Sequence, residues 1–154
     1  AFTVSLWFKL ADPCTNDYVT LFTNGNGPAA ATGVILGVMW QGMTFGELAS
    51  GTTFQTLYPT SPYRRCMDTW SHVVLSFAEG KAALYDDGQL SHEAEARFSR
   101  VLHGGYPITL GGSPMTPTRQ LTGGIDEVRV YDSALSADQV WSLHLEESCR
   151  AGAP

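Results

Sequence analysis

The sequence predicts an all-β fold: two antiparallel sheets packed face to face, closed by one short C-terminal helix. Three observations carry this expectation. Hydrophobic alternation with a period of two dominates the chain. Turn residues punctuate it at short intervals. A single segment near the C-terminus combines a helix cap with helical spacing.

The elements follow in order. Phe2, Val4, Leu6, Phe8 and Leu10 fall on one face of a first strand, and Thr3, Ser5, Trp7 and Lys9 on the other. Residues 18–23 form a second strand, stopped by Asn24-Gly25-Asn26-Gly27-Pro28. Residues 33–40 and 43–48 flank Gln41-Gly42 as a hairpin. A short strand near 52–57 precedes a polar loop with Pro59 and Pro62. Residues 70–77, 81–86 and 89–96 form a three-strand meander around Glu79-Gly80 and Asp87-Gly88, the second pair suited to the positive φ angles of a tight hairpin. Residues 108–110 and 124–131 complete about nine strands. Ser136 and Gln139 make a capping box for a helix over 137–143, with Val140 and Leu143 on one face.

Composition bounds the function. The 154 residues are one domain's worth, assigned to 1–148 with a tail at 149–154. Charged residues are 16%, against about 25% in ordinary globular chains. The net charge of −6 disfavours nucleic acid and anionic lipid, whose phosphates need a basic footprint. The longest apolar run, Gly33 to Trp40, is too short to insert into a membrane. Ala1 leads directly into a strand, so the chain reads as a domain of a larger protein. Cys14, Cys66 and Cys149 lack the CxxC spacing of zinc ribbons and redox motifs. With only two lysines, an extracellular or cell-surface setting is expected.

Four segments then occur in a telling order: Phe2-Thr3-Val4-Ser5-Leu6-Trp7-Phe8, Trp70-Ser71-His72-Val73-Val74, Leu84-Tyr85-Asp86-Asp87-Gly88-Gln89-Leu90, and 123–136, which opens Gly123-Gly124-Ile125-Asp126-Glu127-Val128. Over residues 2–145 the chain resembles a LamG-like jelly-roll domain of the concanavalin A-like lectin/glucanase superfamily, a relative of laminin G and pentraxin domains. The resemblance implies a non-catalytic extracellular binding or assembly module, contacting protein or glycan through its loops. The alternative it implies is a carbohydrate-binding lectin-like domain attached to an enzyme. The loops at 24–32, 50–66 and 111–120 carry few charges, so a neutral glycan or a protein is the expected partner, beside other domains of the parent chain.

The resemblance also implies site residues. Superfamily members hold a structural calcium through an Asp in the strand that matches 124–131, which points to Asp126. Alternation fails between Ile125 and Val128, and a bulge there would aim the Asp126 carboxylate and nearby carbonyls at one point. Otherwise Asp126 caps a turn or pairs with Arg129 or Lys9. A pentraxin-type double calcium site is not expected, because residues 111–120 hold no carboxylate. In pentraxins a disulfide joins the strands matching 2–10 and 71–78, near Ser5 and Val74, neither of which is Cys here. Antiparallel pairing at sums of about 79 sets Cys14 opposite roughly residue 65, beside Cys66. A Cys14–Cys66 bridge would contribute about 3–4 kcal/mol; the alternative is two buried thiols. Trp40, Tyr58, Tyr63 and Tyr106 sit at loop or strand ends, where they would stack on sugars or plug the ends of the sandwich. Trp7, Trp70 and Trp141 are assigned to packing.

Catalysis is not expected. The E-x-D-x-x-E string of superfamily glucanases is absent. Glu93 and Glu95 share strand parity on a solvated face. The four histidines lie in no HxxxH or G-x-S-x-G context.

Overall fold

The structure is a computed structural model that describes residues 1–11, 18–25, 32–39, 42–58 and 68–150. Ten strands are present among the described residues: β1 (Phe2–Leu10), β2 (Val19–Thr23), β3 (Thr32–Met39), β4 (Met43–Ser50), β5 (Thr53–Leu57), β6 (Trp70–Ala78), β7 (Lys81–Asp86), β8 (Gln89–Glu95), β9 (Thr109–Leu110) and β10 (Gly123–Tyr131). They pair antiparallel into two five-stranded sheets, β10-β1-β6-β7-β8 and β5-β4-β3-β2-β9. One helix follows, α1 (Ala137–Arg150). The expected sandwich is the observed fold, and no described helix is long and apolar enough to cross a membrane.

The core lies between the sheets. Val4, Leu6, Phe8 and Leu10 of β1 meet Leu21, Phe22, Val34, Leu36, Val38 and Leu48 of the opposite sheet. These are the alternating positions that the sequence marks as inward. Register is as expected too, with Phe2 opposite Phe77 and Lys9 opposite Trp70. Beyond the ladder, the Leu10 carbonyl accepts the Asp68 N–H at 2.8 Å. Cys14 and Cys66 lie outside the described residues. The two hairpin turns of the meander use positive φ at Glu79, Gly80, Asp87 and Gly88, as their residue types require.

Two expectations need correction. Ser5, on the face of β1 read as polar, is buried beside Trp7, because α1 lies across that face. The helix also runs to Arg150, well past residue 143. Its inward stripe is Val140, Leu143 and Glu147, at successive steps of three and four residues. A charged residue at the third position hides the stripe from hydrophobic patterning. The cap behaves as read: the Ser136 N–H donates to Gln139 Oε1 at 2.9 Å, and the Gln139 N–H to Ser136 Oγ at 3.3 Å.

Candidate functional site

The helix covers the outer face of one sheet. The outer face of the other sheet (β5-β4-β3-β2-β9) carries the candidate site. Pairing places Ile35, Gly37 and Met39 of β3 and Met43, Phe45 and Glu47 of β4 on this face, because Val34, Leu36 and Val38 point into the core. Ile35, Met39 and Phe45 form a buried apolar floor with Tyr18 and Met43 packed against it. Gly37 makes the floor possible. A Cβ there would stand 2.6 Å from the Phe45 ring, so only glycine lets the ring lie down on the sheet.

Polar and aromatic groups stand on this floor. The Tyr18 ring meets Phe45 edge-on, with centroids 5.3 Å apart. Tyr58, just past β5, is 45% exposed, and its hydroxyl is hydrogen-bonded with Thr56 and Tyr18. The Arg119 guanidinium lies 5.0 Å over the Tyr18 ring. Its backbone carbonyl accepts the Thr20 N–H at 3.1 Å, which ties the 111–120 segment to β2. Thr20 is buried, and its hydroxyl has no hydrogen-bond partner among the described residues.

The site's electrostatics follow from this packing. Burial pushes the Glu47 carboxyl above the ordinary carboxylate value, and Arg119 only partly offsets it. Burial, then Tyr18 and Glu47, also push the Tyr58 hydroxyl up. Two phenols, a carboxylate and a guanidinium gather over an apolar floor that is itself buried, so what a ligand could reach is the polar and aromatic rim around the exposed Tyr58.

Of the residues singled out in the sequence, Tyr58 belongs to this group. Tyr106 lies elsewhere, beside Gly104 near the Thr32 end of β3. Trp40 and Tyr63 are outside the described residues. Tyr18, Glu47 and Arg119 escaped the sequence reading. The signals they left were slight: one carboxylate in the apolar β4, and one charge in the 111–120 loop.

Asp126 sits at the expected bulge. Ser5 pairs with Arg129 and Trp7 with Asp126, so Leu6 faces two residues, and Glu127 takes φ 48°. Asp126 is exposed, and one carboxylate oxygen accepts the Glu127 N–H at 2.8 Å. Among the described residues no group of three or more His, Cys, Asp or Glu side chains is placed to hold a metal.

Beneath α1 lies a second polar cluster. Ser5 Oγ and His72 Nε2 are 2.8 Å apart. Glu147 Oε2 accepts the Trp7 Nε1–H at 2.6 Å and lies 3.5 Å from the same His72 Nε2. The trio contains the residue types of a hydrolytic triad without its geometry, since serine and carboxylate share one ring nitrogen and all three groups are buried. Arg129 completes the cluster, 3.0 Å from Glu147 Oε1 and 2.8 Å from Glu127 Oε2. Burial opposes the Arg129 charge, but Tyr131, Glu127 and Glu147 outweigh it and raise its pKa. Trp7 is buried here as assigned. Trp141, assigned to packing, is 43% exposed although it stacks on His144 at 5.7 Å. Glu93 and Glu95 are exposed.

Comparison with known proteins is consistent with the architecture. A laminin G family model, described as the Concanavalin A-like lectin/glucanases superfamily, matches residues 1–141. The adhesion G-protein coupled receptor V1 of Danio rerio is 28% identical over 93% of the chain, which spans 2% of that receptor's length. The CBM40 module of a Ruminococcus gnavus IT-sialidase superposes with TM-score 0.78 at 20% identity, covering 93% of this chain and 82% of that one. The same module has been solved bound to α2,3-sialyllactose. Domain 4 of AbnA, an extracellular arabinanase of Geobacillus stearothermophilus in complex with arabinotriose, superposes with TM-score 0.68 at 24% identity, covering 93% and 66%. With a family model matching nearly its whole length, the chain belongs to the Concanavalin A-like lectin/glucanases superfamily.

Proposed function

We propose that this domain is a non-catalytic extracellular binding module of a larger protein, and that it binds glycan on the outer face of the β5-β4-β3-β2-β9 sheet. One observation carries the reading: the half-exposed Tyr58, hydrogen-bonded to Tyr18, stands beside Glu47 on the floor made by Ile35, Met39 and Phe45. The phenol rings offer faces to sugar C–H groups, and the carboxylate accepts from hydroxyls. The carbohydrate-bound neighbours among known structures support the ligand class, and the adhesion-receptor relative supports the extracellular setting. Ser5, His72 and Glu147, the nearest approach to a catalytic set, serve here to seat the helix.

A glycan array probed with the domain tests the reading. Binding is expected, and Tyr58→Ala is expected to weaken it at least about tenfold, or ~1.4 kcal/mol, with thermal stability nearly unchanged. Retention of full affinity by Tyr58→Ala would move the site to another face. Reading the array with and without EDTA checks the calcium expected at Asp126.

A further inference from the structure

We infer that this face selects glycans bearing a carboxylate, with Arg119 as the group that receives it. The inference rests on the glycan-binding reading above and names the sugar class.

Arg119 is the sole charged residue of the 111–120 segment. Its backbone is held at both ends of the peptide unit: the N–H donates to the Thr116 carbonyl at 3.0 Å, and the carbonyl accepts from Thr20 at 3.1 Å. Its guanidinium carbon lies 5.0 Å from the centre of the Tyr18 ring. These contacts restrain the Arg119 backbone and keep its guanidinium near the Tyr18 ring before any ligand arrives, which lowers the entropy lost on binding.

Among the described residues the Arg119 guanidinium has no carboxylate within ion-pair distance. Arg129 provides the internal contrast, with carboxylate oxygens at 2.8 and 3.0 Å. Both arginines are half-buried. One is neutralised on both sides and helps fix the helix; the other faces the candidate site with no described carboxylate in contact. Glu47 feels the Arg119 charge but stays dominated by burial, which leaves it as an acceptor for sugar hydroxyls. The buried Thr20 hydroxyl on the same face also has no hydrogen-bond partner among the described residues.

A guanidinium matches a carboxylate through two parallel N–H···O bonds. The ligand is a sugar with a single carboxylate, as in sialic or uronic acids. Densely charged polyanions are disfavoured by the chain's net charge of −6. The sequence alone predicts neutral partners from the low loop charge; Arg119 is the exception that folding brings onto the face.

Calorimetric titration with two matched pairs tests the inference: lactose against α2,3-sialyllactose, and cellobiose against its glucuronic-acid analogue. At low salt one acid is expected to bind at least about tenfold more tightly than its neutral partner, a preference that falls as salt rises. The pair showing the preference tells sialic from uronic acid. Arg119→Gln is expected to abolish the preference and Arg119→Lys to keep only part of it, with thermal melts confirming that both variants fold. Equal affinity for acid and neutral partners, or an undiminished preference in Arg119→Gln, would overturn the inference while leaving the glycan reading intact. No binding to any of these probes or to the array would remove both.

Discussion

Glu147 has no solvent exposure, yet it sits on the helix stripe that meets the sheet. It is tolerated there because β1, β6 and β10 each offer it a partner: Trp7, His72 and Arg129. A buried carboxylate with several donors is stable only as a set, since removing one member strands the others. Glu147→Ala is therefore expected to cost about 3–5 kcal/mol in urea denaturation. Glu147→Gln keeps an acceptor for the Trp7 N–H and is expected to lose less, about 1–3 kcal/mol. Equal losses would mean that volume rather than charge holds this position. Trp7 lies against His72 and His144 with ring centroids 5.1 and 5.3 Å away, so its fluorescence should report both changes.

At the scale of elements, α1 is fixed at both ends by different means. Its start is set locally by the Ser136–Gln139 capping box, and Ser136→Ala is expected to remove about 1 kcal/mol of stability. Its second half is fixed by tertiary partners, above all Glu147. That division explains what the sequence disclosed. The cap, the meander turns and the β1–β6 register depend on residues near one another or on strict alternation, and each is legible. The far end of the helix is not, because its third inward residue is charged. The two-sided burial of β1 is equally hidden: Ser5 reads as surface until a helix more than a hundred residues later covers it. The candidate site is only partly legible for the same reason. Tyr58 announces itself as an aromatic beside a loop. Tyr18, Glu47 and Arg119 come from three separate segments, and nothing in their local patterns says that pairing will gather them on one face.

The whole molecule carries two titrating groups whose environments pull in opposite directions. Glu47, on the outer face of one sheet, has a pKa raised above its ordinary 4.5, mainly by burial. His144, on the helix that covers the other sheet, has a pKa lowered below its ordinary 6.5, also mainly by burial and against the pull of Asp87. For Glu47 the folded state binds more protons than the unfolded state between 4.5 and its raised value. Stability therefore falls as pH rises through that window, and the cost persists above it. For His144 the unfolded state binds more protons between its lowered value and 6.5, so stability falls as pH drops through that window. The two slopes oppose each other in mildly acidic solution, and the variants should separate them. Relative to the wild type, Glu47→Gln is expected to be more stable at neutral pH and to lose that advantage on acidification toward 4.5. His144→Gln loses stacking with Trp7 and Trp141 and is expected to be less stable throughout, but its deficit should shrink as pH falls below 6.5. Urea denaturation across this range, compared as differences from the wild type, cancels the background of the other carboxylates. In both variants the stability difference from the wild type thus moves with pH, downward on acidification for Glu47→Gln and upward for His144→Gln, the two curves tilting in opposite senses. Differences that stay constant with pH would show that burial on the two outer faces does not set these charges.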